Sequence, residues 1–453
     1  MQISIIKKAF LGVLFIISLL LNPSQIFGQS TTVVKGSIKT THTNGVKTIS
    51  IKNDKKDFTV EYEGELTLSD DDKEIIAISK GGFIEIRKSR FGKRRRITIE
   101  SEGGKLDRRY YIGSKEKPFI PDGENWLAEI LPDLVKSTTI AAESRVERFY
   151  KKGGAKEVMY EVESMDSDYV KTAYIKILLK KNLSNSELLS VVKTTGNEIK
   201  SDYYLSQILK SNQKAFLANN QTKSAFIEAV SKISSDHYAT QIMKSIIDDS
   251  TISDNDMSGL LQITKGVGSD HYKTQILSSI MDKRDLNGKN ITTIMSLSRE
   301  INSDHYRTQV LRKALKNKNL SKENYNTFMN SLSEIKSDHY TTQVINDLMV
   351  DEITSENLSK LLSIVGNNVN SDHYATNIYK KLAKDNKITD TLLIQLIDAA
   401  AKGIKSDYYL SSVLVAYSDK VKKSSQKVKD AYNKAAKSIK SETYFGRAMK
   451  ALY

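Results

Sequence analysis

The chain has 453 residues, 39% hydrophobic and 27% charged, with a formal net charge of +15 and no cysteine. That balance supports a packed core and argues against wholesale disorder or a polytopic membrane protein. Lack of cysteine excludes disulfides, thiolate metal sites, cysteine nucleophiles and a lipid-modified N-terminal cysteine.

Residues 1–28 have the pattern of a secretory signal. Lys7 and Lys8 precede an apolar run, Ala9 to Leu21, which Asn22-Pro23-Ser24 breaks. The run is too short to span a bilayer comfortably, and Gly28 supplies a small residue for cleavage. No later segment stays apolar for 18 residues, so no membrane span is expected after signal removal. The expected location is periplasmic or extracellular. Export makes nucleic acid a poor partner, whereas the positive charge suits acidic proteins or an anionic envelope polymer.

Residues 32–117 have the pattern of a small antiparallel β domain. Lys47 to Lys52, Phe58 to Leu68, Glu74 to Ser79, Phe83 to Arg87, Arg96 to Glu100 and Leu106 to Ile112 alternate polar with apolar or β-branched residues. Glycine pairs at Gly81-Gly82 and Gly103-Gly104 separate several of them. Period-two alternation with such turns predicts strands with one buried face. Asp70-Asp71-Asp72 lacks the spaced oxygens of a calcium loop and fits a solvated turn. Residues 122–150 predict connecting helices, with Trp126 as the plug between sheet and helices and Pro132 as a kink or stop. All four prolines lie at or before Pro132, and 12 of the 22 glycines do too. Their scarcity beyond marks a change of structural class.

From residue 151 onward the chain repeats. A Ser-Asp pair places Asp at 168, 202, 236, 270, 304, 338, 372 and 407, with a degenerate Ser441-Glu442. Ten residues before each acid stand Val158, Val192, Phe226, Leu260, Ile294, Phe328, Leu362, Ile397 and Tyr432. Three residues before stand Met165, Ile199, Ile233, Val267, Ile301, Ile335, Val369, Ile404 and Ile439. Seven residues make two helical turns, so each pair shares a buried face. Ser or Asp is expected to cap the helix it begins, and that helix to bury Tyr238, Ile242 and Ile246 or their equivalents. Each 34-residue unit is then two helices that bury their stripes only by stacking. The expected class is α+β, a small antiparallel sheet followed by an α-solenoid of about nine units. Tetratricopeptide repeats share the length, but their tryptophan and closing proline are absent.

Gly82-Phe83-Ile84-Glu85-Ile86, Lys93-Arg94-Arg95-Arg96 and Arg109-Tyr110-Tyr111, together with the S-D-[HY]-Y repeats, carry a family resemblance. Over most of its length the chain resembles exported bacterial proteins that pair a short β module with such repeats. Similar segments form extracytoplasmic parts of membrane zinc peptidases of the β-lactam-sensor type. The His-Glu-x-x-His motif of those peptidases is absent here, so their activity does not carry over. The resemblance implies an envelope sensor or interaction module.

Two features are candidate binding surfaces. His237, His271, His305, His339 and His373 occupy one slot in five consecutive repeats, which Tyr203 and Tyr408 fill on either side. One turn later come Gln241, Gln275, Gln309, Gln343 and Asn377. Metal binding would need ligands within about 2 Å of one ion, whereas equivalent atoms of stacked repeats lie about 10 Å apart. The stripe is therefore either a structural ladder, each histidine bonding the next repeat's glutamine or backbone, or the lining of a groove that grips a partner. The second feature is the basic run around Lys93, Arg94, Arg95 and Arg96. It is either a solvated, charge-protected sheet edge or a dock for acidic protein or anionic polymer. Sequence-adjacent Ser, Asp and His do not build a triad, and no nucleotide or hydrolase fingerprint stands in a suitable setting. No cofactor and no enzyme activity are expected. The expected role is an exported interaction or scaffold protein, against a small-ligand envelope sensor or a structural spacer.

Overall fold

The computed structural model describes residues 31–35, 38–52, 57–90, 93–249, 252–283, 286–316, 322–348, 355–382 and 388–453. The signal segment and residues 91–92 lie outside the described residues. The α+β class holds, and the chain divides into two compact units between Arg145 and Val146.

The first unit is built on ten strands. They are β1 Thr31–Lys35, β2 Ile38–Thr43, β3 Val46–Lys52, β4 Asp57–Glu63, β5 Leu66–Leu68, β6 Ile75–Ile78, β7 Phe83–Arg90, β8 Lys93–Glu102, β9 Lys105–Ile112 and β10 Lys115–Lys117. Eight form one antiparallel sheet in the order β1-β2-β3-β4-β7-β8-β9-β10, and β5 pairs with β6 separately. The β2–β3 hairpin closes through Asn44 (φ 51°) and Gly45 (φ 87°), the residue pair that a two-residue turn of that hand favours. The single strand expected over Phe58–Leu68 is in fact two. Gly64 breaks it at φ 88°, where a Cβ would stand 2.3 Å from Ser79 Oγ. The alternation runs on through the break, so periodicity alone conceals it.

One sheet face is covered. Ile49, Ile51, Val60, Ile84, Ile86, Ile97 and Ile99 pack in one core with Trp126, Leu127, Ile130 and Leu131 of the helix Glu124–Ser137. Trp126 is 3% exposed and its ring lies 5.7 Å from that of Tyr110. Pro132 sits inside this helix without ending it. The Asp70–Asp72 turn is only partly solvated. Asp72 accepts from the buried Arg145 guanidinium at 2.6 and 3.1 Å.

The second unit is a run of helix pairs. The helical segment Ala142–Glu163 is interrupted at Gly153 and Gly154, the latter at φ 65°, and residues 155–163 provide the first helix of the first pair. Later first helices include Asn185–Glu198, Asp254–Gly266, Gly288–Arg299 and Asp390–Gly403. All second helices open on the repeated acid: Asp168–Leu178, Asp202–Ser211, Asp236–Ile247, Asp270–Lys283, Asp304–Leu315, Asp338–Leu348, Asp372–Leu382, Asp407–Lys422 and Glu442–Leu452. All eighteen apolar positions in phase with the acid are buried. A short extra helix, Gln213–Leu217, follows the second of these.

The two kinds of helix start are satisfied differently. First helices carry local caps, such as the Ser184–Glu187 and Ser253–Asp256 capping boxes and the Asn287 cap. At the second helices the expected serine cap forms at Ser167, from Val170 N–H at 3.3 Å, and at Ser269, from Tyr272 N–H at 3.5 Å, while a contact between repeats recurs along the array. Ser201, Ser235, Ser303, Ser406 and Ser441 take the N-cap position, yet their side chains accept no cap hydrogen bond. Each aspartate carboxylate instead accepts the backbone amides just before the next second helix. Asp202 takes Ser234 and Ser235 at 3.1 and 2.8 Å, and Asp304 takes Lys336 and Ser337 at 3.0 and 2.8 Å. Asp168, Asp236, Asp270, Asp338 and Asp372 do the same, and Asp407 accepts from Ser441.

Such charge-assisted bonds contribute about 1.5–3 kcal/mol each where removal strands a partner. Asp304→Ala is expected to destabilise the array by about that amount, and Asp304→Asn by less, since its amide oxygen still accepts. Denaturant titration reads the loss. Faster amide exchange at Lys336 and Ser337 localises it.

Buried tyrosines give the C-terminal repeats a pH limit. Burial pushes the Tyr379 phenol up to about 12 and also raises Tyr417 and Tyr432, whose hydroxyls donate to Tyr379 O and Ala448 O at 2.9 and 2.8 Å. The fold holds these groups neutral, whereas the unfolded chain ionises them near pH 10. Their stabilisation is therefore complete below about pH 10 and is lost as pH rises toward and through 12. Melting temperature followed from pH 8 to 12 should hold and then fall, and Tyr417→Phe should soften the fall.

Candidate functional site

The histidine of each central repeat directly follows the clamping aspartate, at the second residue of its helix. His237, His271, His305, His339 and His373 are all exposed. Four residues on, one helical turn away, lies the glutamine or asparagine. Gln241, Gln275, Gln309 and Gln343 place Nε2 at 3.0, 2.7, 2.9 and 2.8 Å from the Nε2 of their own helix's histidine, and Asn377 does so at 3.3 Å. The expected bond to the next repeat's glutamine is thus not formed, because the i,i+4 partner is nearer. An amide N–H donating to Nε2 places the imidazole proton on Nδ1. In His237 and His305 that nitrogen faces the phenol of the next repeat, Tyr272 at 3.1 Å and Tyr340 at 3.3 Å.

The links between repeats are made by rings. His237 meets Tyr238 of its own helix at 5.3 Å and Tyr272 of the next at 5.9 Å, nearly edge to face in both cases. The pattern recurs at His271, His305, His339 and His373. Tyr203 extends it on one side, to Tyr204 and Tyr238, and Tyr408 on the other, to Tyr409 and Tyr444. Tyr238 and its equivalents are half-buried members of this ladder, not core residues as Ile242 and Ile246 are. The residue pair after the acid is aromatic-aromatic from Tyr203 to Tyr409, which is the sequence signal for it. The outer rings stay open, with Tyr203 49% and Tyr408 47% exposed.

A third row runs parallel. Seven residues beyond each histidine and beyond Tyr203 stand Lys210, Lys244, Ser278, Arg312, Asn346 and Lys380, on the same helix face, and Val415 ends the row beyond Tyr408. Acids on this face pair with cations of an adjacent repeat: Asp248 with Lys283 of the next at 3.6 Å, Asp282 with Lys313 of the next, and Asp347 with Arg312 of the one before. An open cleft of about 580 Å³ lies there, lined by Met281, Gln309, Arg312, Lys313 and Lys316 among others. Sequence reading missed this row because serine and asparagine interrupt it.

In the first unit the basic run does not sit on a sheet edge. β8 is paired on both sides, with β7 and β9. On its open face Arg96 pairs with Glu85 at 3.5 Å and lies 4.1 Å from the Tyr111 ring centre. Arg87 pairs with Glu61 at 3.2 Å and with Glu85, and Arg109 with Asp107. Arg95 lies on the other face, 6.0 Å from the Trp126 ring centre. Arg94 is exposed, and Lys93 is described only as part of β8. Of the described side chains of this run, Arg96 is matched by a carboxylate within the sheet, while Arg94 and Arg95 remain exposed.

No family model matches the chain, and no curated protein matches it. Among solved structures it is similar to a chain from the work titled "Computational Design of Self-Assembling Cyclic Protein Homooligomers", at 10% identity and a TM-score of 0.11, over 69% of this chain and 96% of that one. Among the described residues no helix is long and apolar enough to cross a membrane, and no three His, Asp or Glu side chains gather as metal ligands.

Exposed ring contacts contribute about 0.5–1.5 kcal/mol each. His305→Ala combined with His339→Ala is expected to leave helical content unchanged by circular dichroism and to lower the melting temperature by a few degrees. A collapse of the fold would show that the ladder, rather than the aspartate clamp, holds the repeats.

Proposed function

We propose that this chain is an exported, non-enzymatic interaction protein that holds an extended segment of a partner polypeptide along its second helices. The observation that carries this reading is the continuous row of exposed histidine rings, half-buried tyrosine rings and side-chain amides. Two features support it. Rings offer contact area at low entropic cost, and amides can both donate to and accept from a peptide backbone. Helical repeats are also well suited to extended ligands, because each unit presents the same groups at a constant step. The resemblance to exported β-plus-repeat proteins agrees with an envelope setting, and the open arginines of the first unit offer an accessory contact for acidic groups.

The test is site-directed photo-cross-linking in the native envelope. A photoreactive residue at Gln275 should yield a discrete adduct, and one at Lys265, exposed on a first helix, should not. Changing the five ladder histidines to Ala, in a variant shown to fold, should abolish the Gln275 adduct. Equal labelling from both positions, or an adduct indifferent to the histidines, would overturn the reading.

A further inference from the structure

The step of the ladder constrains what can lie along it. His237, Tyr272 and His271 are joined by ring separations of 5.9 and 5.2 Å, so successive histidine rings are at most about 11 Å apart. Packed helices repeat at about 8–10 Å. A polyproline II chain advances about 3.1 Å per residue with three residues per turn. It therefore shows the same face about every 9 Å. A β-strand rises similarly, but its residues three apart point to opposite faces. Of these two extended forms, polyproline II is the one that keeps one side chain per repeat facing the helices.

Charge selects that side chain. The acids on this face, Asp248, Asp282 and Asp347, are taken by Lys283, Lys313 and Arg312. Lys210, Lys244 and Lys316 are exposed and have no acidic partner among the described residues, and the half-buried Lys380 has none either. The repeat aspartates keep their charge, but each stands at the start of its helix, held by backbone amides and about 12 Å along the axis from this row. The face is left with a spaced surplus of cations beside a row of rings. Aromatic-lined surfaces suit polyproline II ligands, whose prolines stack on rings at low ordering cost.

We infer that the partner segment is an acidic polyproline II stretch with a carboxylate at every third residue, its acids on the Lys210–Lys244–Lys380 row and its remaining residues on the His–Tyr ladder. This inference rests on the reading of the second helices as a peptide-holding face.

Two peptides of identical composition test it against the full chain. One is (Glu-Pro-Pro)6, long enough to reach from Lys210 to Lys380, and the other carries its six glutamates in one block followed by twelve prolines. Fluorescence anisotropy at low salt should show the spaced peptide binding about tenfold more tightly than the block peptide. That preference should shrink as ionic strength approaches about 0.5 M. Lys210→Gln with Lys244→Gln and Lys380→Gln should lose most of it, with unchanged circular dichroism. Equal binding of the two peptides, binding of neither, or indifference to the lysines overturns the proposal. If the Gln275 adduct still forms in that case, the peptide-holding face stands and its partner has a different chemistry.

Discussion

The array depends on one interaction, a carboxylate at the start of a helix accepting two backbone amides from the next repeat. The amides are those of the serine that opens the next second helix and of the residue before it. A serine cap serves amides inside its own helix and says nothing about the neighbouring repeat. The aspartate holds the entry of the next helix, so that fixing that entry also fixes the spacing between the two. The apolar stripes supply most of the driving force for stacking. They are tolerant of sliding, whereas two directed bonds to one carboxylate are not.

The surface follows from that fixed phase. The histidine or tyrosine slot is the residue immediately after the clamp, so its ring leaves every helix at the same angle. The glutamine one turn later falls above it, and the basic position one turn beyond falls above both. Three rows on one face therefore share a single geometric origin. Their chemistry differs in kind from the clamp: the clamp is occupied, while the rings and cations are presented.

Legibility in the sequence tracked the range of each interaction. The eighteen core positions were readable because burial leaves a periodic apolar mark, and KTISIK was readable as a strand for the same reason. The split of Phe58–Leu68 was not, because it depends on the conformation of Gly64 and its approach to Ser79. The aspartate's role was misread as local capping because its true partners lie 32 to 34 residues away. The histidine's glutamine was identified but assigned to the wrong repeat, since spacing within a helix and spacing between helices are both compatible with one stripe. The arginines at 94–96 showed their charge in sequence. Only the pairing of β8 with β7 showed that Arg96 meets Glu85.

The clamp also sets which letters of the repeat are free to change. It addresses main-chain N–H groups, so the side chain two places before each acid plays no part in it. Lysine, serine, glycine, asparagine, lysine, asparagine and lysine occupy that place at 200, 234, 268, 302, 336, 370 and 405. The contact survives all seven. Across the two 35-residue spacings Asp372 keeps both bonds and Asp407 keeps the one to Ser441. A joint that ignores the identity of what it joins is a copying rule: a unit can be duplicated or deleted and the ends still meet. Lineages carrying this grammar can adjust the reach of the array by whole repeats while leaving each joint untouched.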